Sequence, residues 1–113
     1  YVLLSDLIKS AKVSITLIDN YIDESILNLF SKNQNVKFTI YTQNISKELQ
    51  LDIQKYNKQY SNLEVKITKN FHDRFFICDE TVYHFGASFK DLGNKIFAVN
   101  KMNILKNDLL KNI

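Results

Sequence analysis

A nearly continuous apolar run, VSITLI, occupies residues 13–18 and stops at Asp19. Most of its side chains are β-branched, as in strands, and the run is nearly all apolar. Such a pattern is expected of a strand that is buried on both faces of a sheet. This run therefore predicts a central strand with other layers packed against it.

The segments around this strand alternate between helical and strand-like patterns. Apolar side chains recur at helical spacing in residues 2–11, between Ile22 and Phe30, and after a candidate N-cap at Ser46. Strand-like stretches cover residues 36–41, 63–67, 74–79, 82–86 and 96–99, and residues 103–112 suggest a closing helix. This order predicts an α/β fold, with a mixed β-sheet flanked by helices on both faces.

Length and composition limit the class of protein. The chain has 113 residues, of which 45% are hydrophobic, so we expect a single domain over residues 1–113. Because it opens at Tyr1 rather than Met, we expect it to be a C-terminal part of a longer protein. A net charge of +3 permits a phosphate-bearing partner without requiring one. The single cysteine, Cys78, favours a reducing, cytoplasmic setting. The sequence has no run of about 18 apolar residues, so no membrane-spanning helix and no membrane partner are expected.

The chemically suggestive stretch is residues 70–93, NFHDRFFICDETVYHFGASFKDLG. His72 and Arg74 stand two residues apart at the start of a predicted strand, so alternation places both side chains on one face. Arg74 is the only arginine of the chain and can make two parallel bonds to phosphate oxygens. Asp79 closes that strand and Gly86 closes the next one.

A short helix is predicted beside these strand ends. Ser88 and Asp91 form a Ser-x-x-Asp capping box, and Gly93 suits the end of a helix. A helix N-terminus presents free backbone N–H groups and a partial positive charge, and Gly86 lets the backbone approach a ligand closely. The stretch therefore predicts an oxyanion site, with His72 able to act as a nucleophile or proton carrier.

The spacing of these residues resembles the signature of the phospholipase D superfamily. That signature is His, any residue, Lys, four residues, Asp, six residues, Gly-Ser, two residues and Asn. His72, Asp79 and Gly86 fall at matching positions. The apolar strand that ends at Asp19 and the helix after Tyr21 are similar to the first strand and helix of such domains, so the resemblance covers most of the chain.

Three positions depart from the signature. Arg74 replaces Lys, Ala87 replaces Ser and Lys90 replaces Asn, while Ser88 and Asp91 stand one place further along. The first change preserves the positive charge. The other two remove hydrogen bonds to phosphate unless the loop shifts by one residue. Phosphate binding is therefore better supported by the sequence than catalysis.

The resemblance implies a mechanism and a set of site residues. A histidine attacks the phosphorus and forms a phosphohistidine, and a second histidine from another motif copy protonates the leaving oxygen. The predicted catalytic residues are His72, Arg74 and Asp79, of which Asp79 is better suited to fixing local geometry. The predicted phosphate-binding residues are Arg74, Gly86, Ser88 and Lys90. No metal or other cofactor is expected, and because one motif is present per chain, a homodimer and a bell-shaped pH profile are expected.

Two functions of different classes remain open on the sequence. One is a metal-independent phosphodiesterase, most plausibly a nuclease, and the other is a non-catalytic module that binds nucleic acid or mediates dimerisation. Lipid hydrolysis ranks third because no membrane-binding segment is evident. His84 is interpreted as a hydrogen-bonded sheet residue, since it forms no zinc spacing with His72 and Cys78, and the Tyr56–Tyr60 pair as part of a core stripe.

Overall fold

The computed structural model describes residues 2–86, 99–111 and 113, which form a six-stranded sheet and four helices. In chain order these are α1 (Val2–Ser10), β1 (Ser14–Ile18), α2 (Glu24–Phe30), β2 (Lys37–Thr42), α3 (Lys47–Tyr60), β3 (Leu63–Ile67), β4 (Arg74–Cys78), β5 (Thr81–Phe85), β6 (Val99–Met102) and α4 (Lys106–Leu110).

The sheet is mixed, and β1 stands where its direction changes. The strand order is β3-β2-β1-β4-β5-β6. β1, β2 and β3 run parallel to one another, whereas β4 is antiparallel to β1 and the remaining pairs, β4–β5 and β5–β6, are antiparallel too. The buried residues of α1, α2 and α3 pack on one face of the sheet and those of α4 on the other. The prediction of an α/β fold with helices on both faces is confirmed.

The VSITLI run explains why β1 is central. Ile15 and Leu17 point to the face covered by α1–α3, while Ile18 points to the face covered by α4 and the residues around it. All three side chains are almost completely buried. Both alternating sets of side chains are thus buried, as the sequence pattern predicted.

Most element boundaries lie within two residues of those expected. The turn between β4 and β5 is formed by Asp79–Glu80, where Asp79 adopts a left-handed backbone with φ of 54°. β6 begins at Val99, where the strand expected at 96–99 ends, and residues 96–98 lie outside the described part of the chain. The closing helix is shorter than expected and spans Lys106–Leu110.

Capping side chains start two of the helices. The Ser46 hydroxyl accepts a hydrogen bond of 3.0 Å from the backbone N–H of Leu49 at the start of α3, which confirms the predicted N-cap. The Asp23 carboxylate accepts one of 3.0 Å from Ser25 N–H at the start of α2. In α3, Tyr56 is buried and its ring lies 4.8 Å from that of Tyr60, so the pair belongs to the core stripe as predicted.

Buried Asn33 joins the end of α1 to the connection before β2. Its Nδ2 group donates to the backbone carbonyls of Ile8 (2.8 Å) and Ala11 (3.0 Å), which lie at the C-terminal end of α1, where carbonyl groups lack partners within the helix. Its Oδ1 atom accepts a hydrogen bond of 3.1 Å from Asn35 N–H. Three hydrogen bonds of one side chain therefore fix how α1 enters β1.

We expect Asn33→Ala to lower the free energy of unfolding by about 1–3 kcal/mol, because buried backbone carbonyls lose their donors. Urea denaturation measures this change. Asn35→Ala is the matched control, since the Asn35 side chain is exposed and its backbone N–H is retained. Equal stability of the two variants would contradict the structural role of Asn33.

Candidate phosphate site at the carboxyl edge of the sheet

The candidate site lies at the edge of the sheet where β1 and β2 end, β4 begins and β5 ends. Ile18 of β1 is paired with Phe75 of β4, and Arg74 is paired with Phe85 of β5. The end of β1, Arg74 and the residue after β5, Gly86, therefore share this edge. In open α/β sheets, ligands bind outside the carboxyl ends of the parallel strands, where connections diverge to either side.

An ion pair links the end of β1 to the start of β4. Arg74 Nε lies 3.9 Å from Oδ1 of Asp19, whose side chain is completely buried, whereas that of Arg74 is 28% exposed. Arg74 Nε itself is buried and has no hydrogen-bond partner among the described residues. The Asp19 Oδ1 atom also accepts a hydrogen bond of 2.9 Å from Tyr21 N–H. Asp19 thus couples the β1–α2 connection to the side chain of Arg74.

His72 lies just before β4 rather than within it. Its side chain is exposed, and no hydrogen bond or ion pair joins it to another residue in the described ranges. The segment is attached to the β1–α2 connection because Asn20 Nδ2 donates a hydrogen bond of 2.9 Å to Phe71 O. His72 therefore does not belong to the alternating side chains of β4, in contrast to the expectation from the sequence. The structure brings it to the same edge as Arg74 through its backbone, without a described contact between the two side chains.

His84 occupies the opposite face of the sheet from Arg74. It is in β5, paired with Phe75, and its ring centroid lies 5.4 Å from the Phe75 ring centroid. Its Nε2 atom is 3.8 Å from Oδ1 of Asp73, which immediately follows His72 in the chain. The prediction that His84 is a sheet residue is confirmed. His84 contacts the segment before β4 but not Arg74.

Asp79 lies at the other end of β4, on the order of 15 Å from Arg74 by strand geometry. Its carboxylate accepts hydrogen bonds from the backbone N–H groups of Lys12 (3.1 Å), Val13 (2.7 Å) and Ser14 (3.1 Å), which lead into β1. The structure does not bring Asp79 to His72 and Arg74, although the sequence grouped the three. The side chain instead secures the start of β1 to the end of β4.

These contacts favour the ionised form of Asp79. Partial burial opposes ionisation, but the three backbone N–H donors and the nearby Lys106 ammonium outweigh it, so the pKa of Asp79 lies below its usual value. Lys106, at the start of α4, also donates a hydrogen bond of 3.1 Å to the Ser14 hydroxyl. This end of the sheet is therefore held together by charge and hydrogen bonds.

The predicted phosphate-binding loop is only partly within the described residues. Gly86 directly follows β5 and is exposed at the same edge as Arg74. Ser88 and Lys90, together with the predicted capping box to Asp91, lie outside the described residues. The contribution of this loop to the site stays a prediction.

Other chemistries find little support in the described part of the chain. Within residues 2–86 and 99–111, no group of three or more His, Cys, Asp or Glu side chains is arranged to hold a metal ion. Cys78 is buried, and burial raises the pKa of its thiol, which disfavours the nucleophilic thiolate. None of the described helices has the length and apolar character needed to cross a membrane.

Comparison with known proteins identifies the fold but no family. The sequence matches no family model and no curated protein. Among solved structures, NucT from Helicobacter pylori is similar with a TM-score of 0.65 at 18% identity, covering 96% of this chain and 79% of that one. The archaeal chromatin protein TrmBL2, which binds DNA, is similar with a TM-score of 0.61 at 19% identity, covering 97% of this chain. The chain spans only 44% of the length of TrmBL2. At these identities the likeness establishes a shared fold.

Sequence reasoning missed two residues of the edge, Asp19 and Asn20. Their signal was present, because a buried apolar strand that ends in an acidic residue and an amide places polar groups at the carboxyl edge of a sheet. The sequence did not predict the partners of Asp19 and Asn20. Arg74 and Phe71 are distant in the chain and come close to them only through the pairing of β1 with β4.

We expect Asp79→Ala to lower the free energy of unfolding at pH 7 by about 1–3 kcal/mol, because three backbone N–H groups lose their acceptor. Since the folded pKa of Asp79 is lowered, its ionised form stabilises the protein above about pH 4, the unfolded value. This stabilisation is lost as the pH falls through the folded pKa. Urea denaturation of Asp79→Asn should therefore show a shallower loss of stability below pH 4 than the wild type.

The matched control is Glu80→Gln, a change at the exposed second position of the same turn. It should leave the acid limb of the stability curve unchanged. An Asp79→Asn variant with the same acid limb as the wild type would contradict the assigned hydrogen bonds.

Proposed function

We propose that this domain is a metal-independent phosphodiesterase of the phospholipase D type that acts on nucleic acid. The observation that carries the proposal is the convergence of Arg74 and the His72 segment at the carboxyl edge of the sheet, beside the end of β1. A guanidinium that recognises phosphate oxygens and an exposed imidazole are the two groups that such chemistry requires.

The nature of the substrate is supported by charge and by fold. A net charge of +3 suits a polyanionic partner, and one protein that shares the fold, TrmBL2, binds DNA. Fold likeness alone does not transfer function, so the weight of the proposal rests on the site residues. A reducing, cytoplasmic setting is proposed with it, since Cys78 is a free, buried cysteine.

The proposed reaction has two steps. His72 attacks the phosphorus of the diester, a phosphorus–nitrogen bond forms, and the bond from phosphorus to the leaving oxygen breaks. A second histidine donates the proton that the leaving oxygen takes up. Water then attacks the phosphohistidine and gives a proton to that second histidine; a phosphorus–oxygen bond forms, the phosphorus–nitrogen bond to His72 breaks, and a phosphomonoester is released. Arg74 neutralises the oxygens on which negative charge accumulates in each transition state.

A second copy of the chain would supply the second histidine. Only one motif is present in the sequence, so we propose a symmetric homodimer in which His72 of the partner subunit acts as the acid. At the start the attacking histidine must be neutral and the acid histidine protonated, so the two need opposite protonation states. The exposure of His72 at the edge of the sheet is compatible with such a shared site.

Hydrolysis of an aryl phosphodiester in excess chelator tests the enzyme proposal. We expect turnover by the wild type and a loss of at least about a thousandfold in His72→Ala, as when a covalent nucleophile is removed. Because His72 is exposed, its substitution should change the free energy of unfolding by less than about 0.5 kcal/mol. Asn70→Ala, an exposed neighbour on the same segment, is the control and should retain activity.

A non-catalytic nucleic-acid-binding or dimerisation module is the second candidate. It is favoured by Ala87 and Lys90, which replace the Ser and Asn of the superfamily signature. This candidate is supported if the wild type shows no turnover but binds DNA, and if binding weakens with salt and with Arg74→Gln. Lys37→Gln, which removes a positive charge at the opposite end of the sheet, should then weaken binding much less.

The oligomeric state is a separate prediction. We expect sedimentation velocity at micromolar concentration to show a dimer, and we expect mixtures of wild type with excess His72→Ala to lose activity beyond simple dilution, because mixed dimers lack one histidine. A monomeric chain with full activity would contradict the shared site.

A further inference from the structure

The burial of the Asp19 carboxylate requires a structural or functional explanation. The side chain is completely buried at the end of β1, and ionised groups are rarely placed there without a partner of opposite charge. The partner is Arg74, across the β1–β4 pair. Because the resemblance to the phospholipase D signature starts at His72, that signature assigns no role to Asp19.

We propose that Asp19 is a positioning residue, which holds the guanidinium of Arg74 at the carboxyl edge so that it receives a phosphodiester. This inference rests on the proposed function, because it assumes that Arg74 binds phosphate. Asp19 itself does not touch the substrate.

Contacts other than the one with Arg74 fix the position of Asp19. Asp19 Oδ1 accepts the hydrogen bond of 2.9 Å from Tyr21 N–H, and the backbone N–H of Asp19 donates one of 3.1 Å to Tyr41 O on β2. The carboxylate is therefore held by the β1–α2 connection, and the backbone of Asp19 by β2. A flexible arginine that meets a fixed anion loses much of its conformational freedom before a ligand arrives.

The part of Arg74 that meets Asp19 leaves the rest of the group available. The nitrogen near Asp19 is Nε, which is buried, while the side chain as a whole is 28% exposed. The exposed area therefore belongs to other atoms of the side chain. The Nε–Oδ1 distance of 3.9 Å exceeds hydrogen-bond range, so Asp19 attracts the guanidinium without forming the two-point bond by which a carboxylate blocks a phosphate.

This geometry also accounts for an arginine in a chain that otherwise uses lysine. A guanidinium has five N–H donors in a rigid plane, so one side can face an anchoring carboxylate while the other binds a ligand. A lysine ammonium is a single point charge without two separate donor edges, so it cannot divide its contacts in this way. Arg74 is the only arginine among the fifteen basic residues, and its Nε atom lies 3.9 Å from Asp19 Oδ1.

A double-mutant cycle tests the inference in the full chain. The variants are Asp19→Asn, Arg74→Gln and the double variant, and the readout is fluorescence anisotropy of a labelled DNA oligonucleotide. We expect Asp19→Asn to weaken binding about tenfold in the wild-type background but less than about twofold when Arg74 is already Gln. Asn keeps the acceptor for Tyr21 N–H, so the change removes mainly the charge.

A spectroscopic readout reports on Arg74 directly. As the chain has one arginine, its Nε–Hε resonance is unique in a ¹H–¹⁵N spectrum. In the wild type we expect a sharp resonance that shifts on addition of dimethyl phosphate, a minimal phosphodiester. In Asp19→Asn we expect the resonance to broaden through exchange with water and to respond only at higher concentration of the probe.

A control variant separates positioning from stability. Thr42→Val replaces another fully buried polar group at the end of β2, whose hydroxyl donates only a long hydrogen bond of 3.4 Å to Asn44 O. It should leave DNA binding and the Nε–Hε resonance unchanged at matched folded fraction. A loss of binding in Thr42→Val equal to that in Asp19→Asn would overturn the inference.

The remaining outcomes distinguish this inference from the proposed function. A wild type that binds neither DNA nor dimethyl phosphate overturns the proposed function. A wild type that binds both, with Asp19→Asn equally harmful in the two backgrounds or harmless in both, overturns the positioning role alone. If Asp19→Asn does not fold, the test rests on the wild-type spectrum. An Nε–Hε resonance that does not shift on addition of dimethyl phosphate shows that Arg74 does not receive a phosphodiester, and this overturns the inference.

Discussion

The structure depends on the burial of β1 between two layers. This strand pairs with parallel β2 on one side and with antiparallel β4 on the other, and its alternate side chains enter both clusters of the core. Because each face of the sheet is covered here, both alternating sets of β1 side chains are buried. The change of strand direction at β1 is what places the carboxyl end of one strand beside the amino end of the next.

The two ends of β4 have different roles as a result. Between them lies RFFIC, whose last four residues are all buried. At one end Asp79 accepts three backbone hydrogen bonds and secures the entry to β1. At the other end Arg74 meets Asp19, and the segment with His72 is attached to Asn20 through Phe71. Polar groups at one end stabilise the sheet, whereas at the other end the Arg74 side chain is 28% exposed and His72 is exposed.

The fold of this chain is shared with proteins of very different sequence. NucT and TrmBL2 share the architecture at less than 20% identity, so the arrangement of strands has been kept through very different sequences. A sheet edge with a guanidinium, an imidazole and a glycine is suited to phosphate, whether the ligand is only bound or also cleaved.

The sequence alone determined the α/β class, the order of helices and strands, the N-cap at Ser46 and the edge residues His72, Arg74 and Gly86. These features arise from local periodicity, capping chemistry and spacing along one short stretch. Only the tertiary structure separated Asp79 from Arg74, took His72 out of strand alternation and paired Arg74 with Asp19. The physical reason is register: the antiparallel pairing of β1 with β4 joins residues that are far apart in the chain, and no local pattern encodes which side chains then face one another.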